Sequence, residues 1–267
     1  MYTKQWSSSS PGHIIFLIDQ SGSMSDKWDD NKSKAEQTAL VLNRVINDII
    51  LTNMSGNKPK DRVRISLIGY GKNKKVLKSG LLSEFANSPL RIDKIKKKVN
   101  NIDGDIVSID EEMPIFIESE YGGGTPMHNA FNLATELISK DDVNNPSPII
   151  INISDGAPNN KKSVENSVEK INSITISDGV PLIFNIHIGN SKNKISFPSK
   201  KDELFNDSMA EFLFGISSIV PNSLKEQAQS LDFELTDESR GFIANADIID
   251  LIKFINFGSQ SALKDKI

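Results

Sequence analysis

The sequence predicts an α/β fold, with a mostly parallel central sheet and helices on both of its faces. Three observations predict it. Mostly apolar runs of strand length recur along the chain, longer segments between them carry apolar residues at threes and fours, and Gly, Ser and Asp cluster where the runs stop. An apolar run without alternation suits a strand buried on both sides, which is the condition of a parallel sheet between two helix layers.

Taken in order, His13 to Ile18 is the first such run, with Pro11-Gly12 before it and a Ser/Gly cluster after it. From Asn31 onward Ala35, Ala39, Leu42, Val45, Ile46, Ile49 and Ile50 mark one helical face, and Ser55-Gly56 with Pro59 ends it. Val63 to Ile68 is a second strand, and Lys75 to Lys78 a short edge strand guarded by its lysines. Ile92, Ile95 and Val99 predict a short helix whose solvated face is Lys94, Lys96, Lys97 and Lys98. The acidic stretch from Asp103 to Glu120 receives no assignment.

A helix opens at Thr125, with Ala130, Phe131, Ala134, Leu137 and Ile138 on one face. Ile149 to Ile153 is a buried strand, Val164, Val168 and Ile171 lie on a helix, and Leu182 to Ile188 is a further strand. Beyond Gly189 the rhythm changes. Ile195 to Lys201 reads as a loop, and Phe205, Met209, Phe212, Leu213 and Ile216 as an amphipathic helix with its phenylalanines in the core. A short helix around Leu224 to Leu231, a last strand from Gly241 to Ala244 and a closing helix over Ile248, Leu251, Ile252 and Ile255 complete the chain. The organisation expected is a disordered tail over 1–12, a core over 13–190, and a C-terminal elaboration over 191–267 packed on the same domain.

The 267 residues, 37% hydrophobic and 25% charged, describe an ordinary globular protein. A formal net charge of -4 and a pI near 5.5 give no global attraction to nucleic acid or to an anionic membrane. The absence of cysteine removes disulfides, thiolate zinc sites and cysteine nucleophiles. No apolar leader or membrane-length run is visible, so a cytoplasmic location is expected.

Ligands of a parallel α/β sheet bind at the carboxyl ends of its strands. Asp19, Ser21 and Ser23 follow the first predicted strand, Thr125 follows Gly122-Gly123-Gly124 at a helix start, and Asp155 follows the Ile149–Ile153 run. These are two carboxylates and three hydroxyls, all hard oxygen donors. Such a set suits Mg²⁺, with Mn²⁺ or Ca²⁺ as alternatives, rather than Zn²⁺ or Cu²⁺. Asp26 and Trp28 come just after the first group, and His128 lies one turn beyond Thr125. They are candidates for a partner-binding rim. Trp28 equally suits packing on the first helix, and Asp29 and Asp30 suit its N-terminus.

The segments Asp19-Gln20-Ser21-Gly22-Ser23-Met24, Gly-Gly-Gly-Thr125-Pro and Ser-Asp155-Gly resemble the three motifs of the metal-ion-dependent adhesion site (MIDAS) of von Willebrand factor A (VWA) domains. Gln20 stands where the family more often has Thr. The resemblance covers roughly Ile14 to Ile188 and implies a Rossmann-like VWA fold with a C-terminal helical elaboration. It further implies direct coordination by Ser21, Ser23 and Thr125, and coordination largely through water by Asp19 and Asp155. Leu182 to Ile188 and Arg240 to Asp247 are similar to bacterial tellurium-resistance-associated, TerY-like intracellular VWA proteins. That likeness implies a role in stress response or phage defence, with a protein kinase and a PP2C-type phosphatase among the partners.

The rival chemistries each lack a residue. A calcium loop of the EF-hand type needs Gly at its sixth position, which is Met24 here. A phosphatase using Asp19 as nucleophile needs a second Asp two residues on, where Ser21 stands. The glycine turn lacks the Lys of a phosphate loop, and no Gly-x-Ser-x-Gly elbow occurs. The expectation is therefore a non-catalytic module whose metal binds an Asp or Glu of a protein partner; a Mg²⁺-dependent phosphatase and a metal-independent scaffold are the alternatives.

Overall fold

The computed structural model describes residues 1–29, 31–100, 106–189 and 193–260. Strand β1 (Gly12–Gln20) is buried along its whole length. A small hairpin of β2 (Lys27–Asp29) and β3 (Lys32–Ser33) leads into helix α1 (Lys34–Thr52). Ser33 caps that helix: its hydroxyl accepts from the Glu36 N–H while the Glu36 carboxylate accepts from the Ser33 N–H. This reciprocal pair satisfies two orphan donors of the first turn and fixes where the helix starts.

A second small hairpin, β4 (Met54–Ser55) and β5 (Lys58–Pro59), returns the chain to β6 (Val63–Gly71) and its antiparallel neighbour β7 (Lys74–Leu81). Then follow α2 (Leu82–Asn87), β8 (Arg91–Asn100), β9 (Ile106–Ile115), α3 (Met127–Ile138), β10 (Ile149–Ser154), α4 (Lys161–Asn172) and β11 (Leu182–Ile188). The chain continues through β12 (Ile195–Ser196), α5 (Ser208–Ile216), α6 (Asn222–Gln229), β13 (Phe242–Ala246) and α7 (Ile248–Gln260).

Seven strands form the main sheet in the order β12-β13-β11-β10-β1-β6-β7. Its five central strands are mutually parallel, and both edge strands run antiparallel to their neighbours. Alternate residues of β1 serve opposite layers. Ile14, Phe16 and Ile18 meet α1 and α7, whereas Ile15 and Leu17 meet α3, α4 and α5. The expected three-layer α/β architecture is therefore present. Strand order reverses at β1, with β6 laid on one side and β10 on the other, and this switch point opens a crevice at the strand ends.

Four expectations are corrected. Residues 91–100 form a strand, not a helix, paired with β9 so that Lys94 lies opposite Glu112 and Lys96 opposite Asp110. Opposite charges facing across two strands stabilise a hairpin, and the unassigned acidic stretch supplies the partner. The side chains of Lys97 and Lys98 lie outside the described residues. Secondly, the N-terminal segment is tied down. The Tyr2 N–H donates to the Asp178 carbonyl, the Thr3 and Lys4 N–H groups to its carboxylate, and Trp6 packs over Gly12 against the core. Thirdly, the core does not end at 190: the expected last strand, β13, lies beside β11 within the main sheet, and the closing helix α7 covers one face of it. Gly241 precedes β13 because any Cβ there would lie 2.1 Å from the Phe184 ring. Fourthly, Phe205 precedes α5 and is exposed, while Phe214 is buried.

Candidate metal centre

The polar cluster forms where β1 and β10 end side by side. Asp19, the penultimate residue of β1, is 1% exposed. One carboxylate oxygen accepts the Ser21 N–H at 2.8 Å and the other accepts the Ser154 hydroxyl at 2.6 Å. Burial pushes this carboxyl up to about 6, opposed by those hydrogen bonds, and Asp155 raises it further by like-charge repulsion. Two carboxylates facing one another in a low-dielectric crevice favour any cation placed between them.

Ser21 and Ser23 flank Gly22, and the turn aims both hydroxyls into the crevice, 3.2 Å apart. The Ser23 hydroxyl donates to Asp155 at 2.7 Å. Asp155 has a fully buried side chain whose second oxygen accepts the Lys34 ammonium at 2.8 Å. Thr125 is brought up by the glycine turn. The Gly22 N–H donates to the Gly123 carbonyl, the Gly122 N–H to the Gln20 carbonyl, and the Lys72 N–H to the Gly122 carbonyl. Gly123 has φ +75°, and a Cβ there would lie 2.9 Å from the Lys72 backbone, so only glycine fits. Asn159 then clamps Thr125 by accepting its N–H and donating its own N–H to the Thr125 carbonyl.

Hydrogen bonds thus gather Asp19, Ser21, Ser23 and Asp155 directly, and Thr125 through the glycine turn. Among the described residues no three His, Asp or Glu side chains converge as a carboxylate or imidazole cage. The donors on hand are three hydroxyls and two carboxylates, and that set fits a hard divalent cation. Gln20 does not intrude, because its side chain lies over Gly69 of β6.

The rim differs from its three candidates. Trp28 is half-buried against the core beside α1, whereas Asp26 is 67% exposed with an oxygen 3.7 Å from the Lys34 ammonium. His128 is half-buried; its backbone carbonyl accepts the Ser167 hydroxyl and its Nδ1 is buried without a hydrogen-bond partner. Asp30 and the Asp29 side chain lie outside the described residues. Sequence reasoning missed Lys34, which no motif marks, and Tyr121. The latter is exposed beside a cleft of about 360 Å³ lined by Gln20, Lys72, Asn73, Ser119, Glu120 and Tyr121. An aromatic directly before three glycines was the available signal. His187, at the end of β11, also borders the cluster. Burial lowers its imidazole, while Asp207, Asp155 and a hydrogen bond to the Asp155 backbone oppose this.

A second constellation has the distances of a nucleophilic triad. His13 Nε2 lies 2.8 Å from the Ser66 hydroxyl, and His13 Nδ1 lies 2.6 Å from Asp141. Ser66 is wholly buried and also bonded to Ser79, so this network ties β1, β6 and β7 together within the sheet.

The family model for the von Willebrand factor type A domain matches residues 14–157. No curated protein matches the chain. Among solved structures, the manganese-loaded Plasmodium vivax TRAP protein is 14% identical, with 92% of this chain and 72% of that one covered and a TM-score of 0.46. A von Willebrand factor type A protein from Catenulispora acidiphila is 12% identical over 95% of this chain and 42% of that one, also at TM-score 0.46. The ArnB paralog VWA2 from Sulfolobus acidocaldarius is 19% identical over 68% and 36%, at TM-score 0.38. The chain thus spans less than half the length of the last two.

Proposed function

Because the chain belongs to the von Willebrand factor type A domain family, whose members commonly mediate protein–protein interaction, we propose that it is a non-catalytic, metal-dependent interaction module that grips an acidic side chain of its partner. The observation that carries this reading is the hydroxyl cluster at the switch point. Ser21 and Ser23 lie 3.2 Å apart, one of them bonded to Asp155, and the glycine turn brings Thr125 alongside. Ser21, Ser23 and Thr125 would hold the ion directly and Asp19 and Asp155 largely through water, as the family resemblance implies. A Mg²⁺ or Mn²⁺ ion bound there supplies an electrophilic position for an external carboxylate, since neutral hydroxyls quench little of its charge.

The chain's own residues set the rest. Asp19 is locked by Ser21 and Ser154, which orients the turn and keeps its carboxylate from acting as a nucleophile. Tyr121, exposed beside the cleft that Gln20 also lines, gives the partner an aromatic contact. The partner is a protein presenting Asp or Glu; a cytoplasmic setting suits the cysteine-free composition, and the resemblance to TerY-like proteins implies a protein kinase and a PP2C-type phosphatase in the same system.

The test is retention of an acidic peptide on immobilised protein in Mg²⁺ against EDTA, for wild type, Asp19→Ala and Thr125→Ala. Retention is expected only for wild type in Mg²⁺, with all three proteins folded by circular dichroism. Equal retention in EDTA would leave a metal-independent scaffold as the better reading.

A further inference from the structure

The first residue of α1 carries an ammonium group into the metal cluster. Lys34 is 9% exposed, and its Nζ lies 2.8 Å from Asp155 and 3.7 Å from Asp26. Its backbone N–H donates to the Asp26 carbonyl at 2.9 Å, and the Ser33 cap sets the helix start, so the side chain is launched from a fixed point. The Asp155 side chain is fully buried, and its other oxygen is taken by Ser23. A buried carboxylate and a buried ammonium each need the other. Asp26 faces solvent, where its charge is screened.

We infer that Lys34 is the resident counter-ion of this site, making it weak for a divalent cation alone and strong for a cation together with a singly charged carboxylate. The inference rests on the metal-dependent reading above. The buried charges are Asp19, Asp155 and Lys34, a sum of one negative charge. A divalent ion reverses that sum to one positive charge, and a carboxylate then brings it to zero. Without Lys34 the cluster would carry two negative charges and the ion alone would neutralise it. An added carboxylate would then leave an unbalanced buried charge, and a doubly charged phosphate would do so even with Lys34 present. Neutrality in a low-dielectric crevice is strongly favoured. The two ligands therefore bind cooperatively, each raising the affinity for the other by the same factor.

The test is titration of Mn²⁺ into the full chain after stripping with EDTA, with free Mn²⁺ read by paramagnetic resonance. It is run with and without acetate at constant ionic strength, on wild type, Lys34→Met and Lys34→Arg. In the absence of acetate, Lys34→Met is expected to bind Mn²⁺ about tenfold tighter than wild type. Acetate is expected to strengthen Mn²⁺ binding to wild type and Lys34→Arg, and not to Lys34→Met. Equal or weaker Mn²⁺ binding by folded Lys34→Met overturns the inference and leaves the metal site standing. Indifference of the wild type to acetate overturns it too, and needs no variant to fold. Failure of wild type and Lys34→Met alike to bind Mn²⁺ overturns the metal-dependent reading along with it.

Discussion

Asp19→Asn is expected to make the metal-free protein more stable while removing its response to metal. The Asp19 carboxyl rises from an ordinary 3.8 to about 6 because folding buries it. An acid raised in this way binds more protons folded than unfolded between those two values. Stability falls as pH climbs through that window, and the full penalty is present above pH 6. At pH 7.5 the shift corresponds to about 3 kcal/mol, an upper estimate for what removal of the charge returns.

The amide retains the shape and both hydrogen bonds. Its oxygen still accepts the Ser21 N–H, and its NH₂ donates to the Ser154 hydroxyl, which can turn its proton to the Gly156 carbonyl 3.1 Å away. The expected gain is about 1–3 kcal/mol, or roughly 3–9 °C in Tm for a chain of this size. Thermal melts in EDTA at pH 7.5 and pH 5 read it. At pH 5 the gain should fall to roughly half, since the wild-type carboxyl is then largely protonated in the folded state. Mg²⁺ should raise the Tm of wild type and leave the variant unmoved. A variant destabilised equally at both pH values would refute the reasoning, because it would mean that the ionised carboxylate stabilises the fold.

Three further outcomes follow from the packing. Asn152→Ala should cost about 2–4 kcal/mol in urea unfolding, since it strips partners from the buried Tyr70 hydroxyl and from Asn185. Trp28→Ala should lower stability by about 1–3 kcal/mol and leave Mn²⁺ affinity unchanged, because the ring packs on the core. Tyr121→Ala should change stability by no more than about 0.5 kcal/mol, given its 59% exposure. The same change should weaken acidic-peptide binding in Mg²⁺ by about 1 kcal/mol or more, read by titration calorimetry.

The sheet and its two helix layers were legible because the central strands β1, β10 and β11 are mostly apolar runs and α1 keeps a helical stripe. The candidate donors were legible for a related reason: Asp19, Ser21 and Ser23 are close in sequence, and Asp155 follows a strand whose end must lie beside theirs. Misreading β8 as a helix came from Ile92, Ile95 and Val99, whose spacing mimics a helical face, while the strand is fixed by charges 14 and 18 residues away. Lys34 was hidden because its partner Asp155 lies 121 residues on and only the completed fold joins them. The anchoring of the N-terminal segment escaped for the same cause: the Tyr2, Thr3 and Lys4 N–H groups donate to Asp178, about 175 residues on.

The most direct test of the proposed metal site is anomalous diffraction from crystals of the protein soaked in Mn²⁺ and acetate. One Mn²⁺ peak is expected at the ends of β1 and β10, bound directly by the hydroxyls of Ser21, Ser23 and Thr125, with acetate completing its shell. A peak elsewhere on the surface, or no peak in crystals of folded protein, would contradict it.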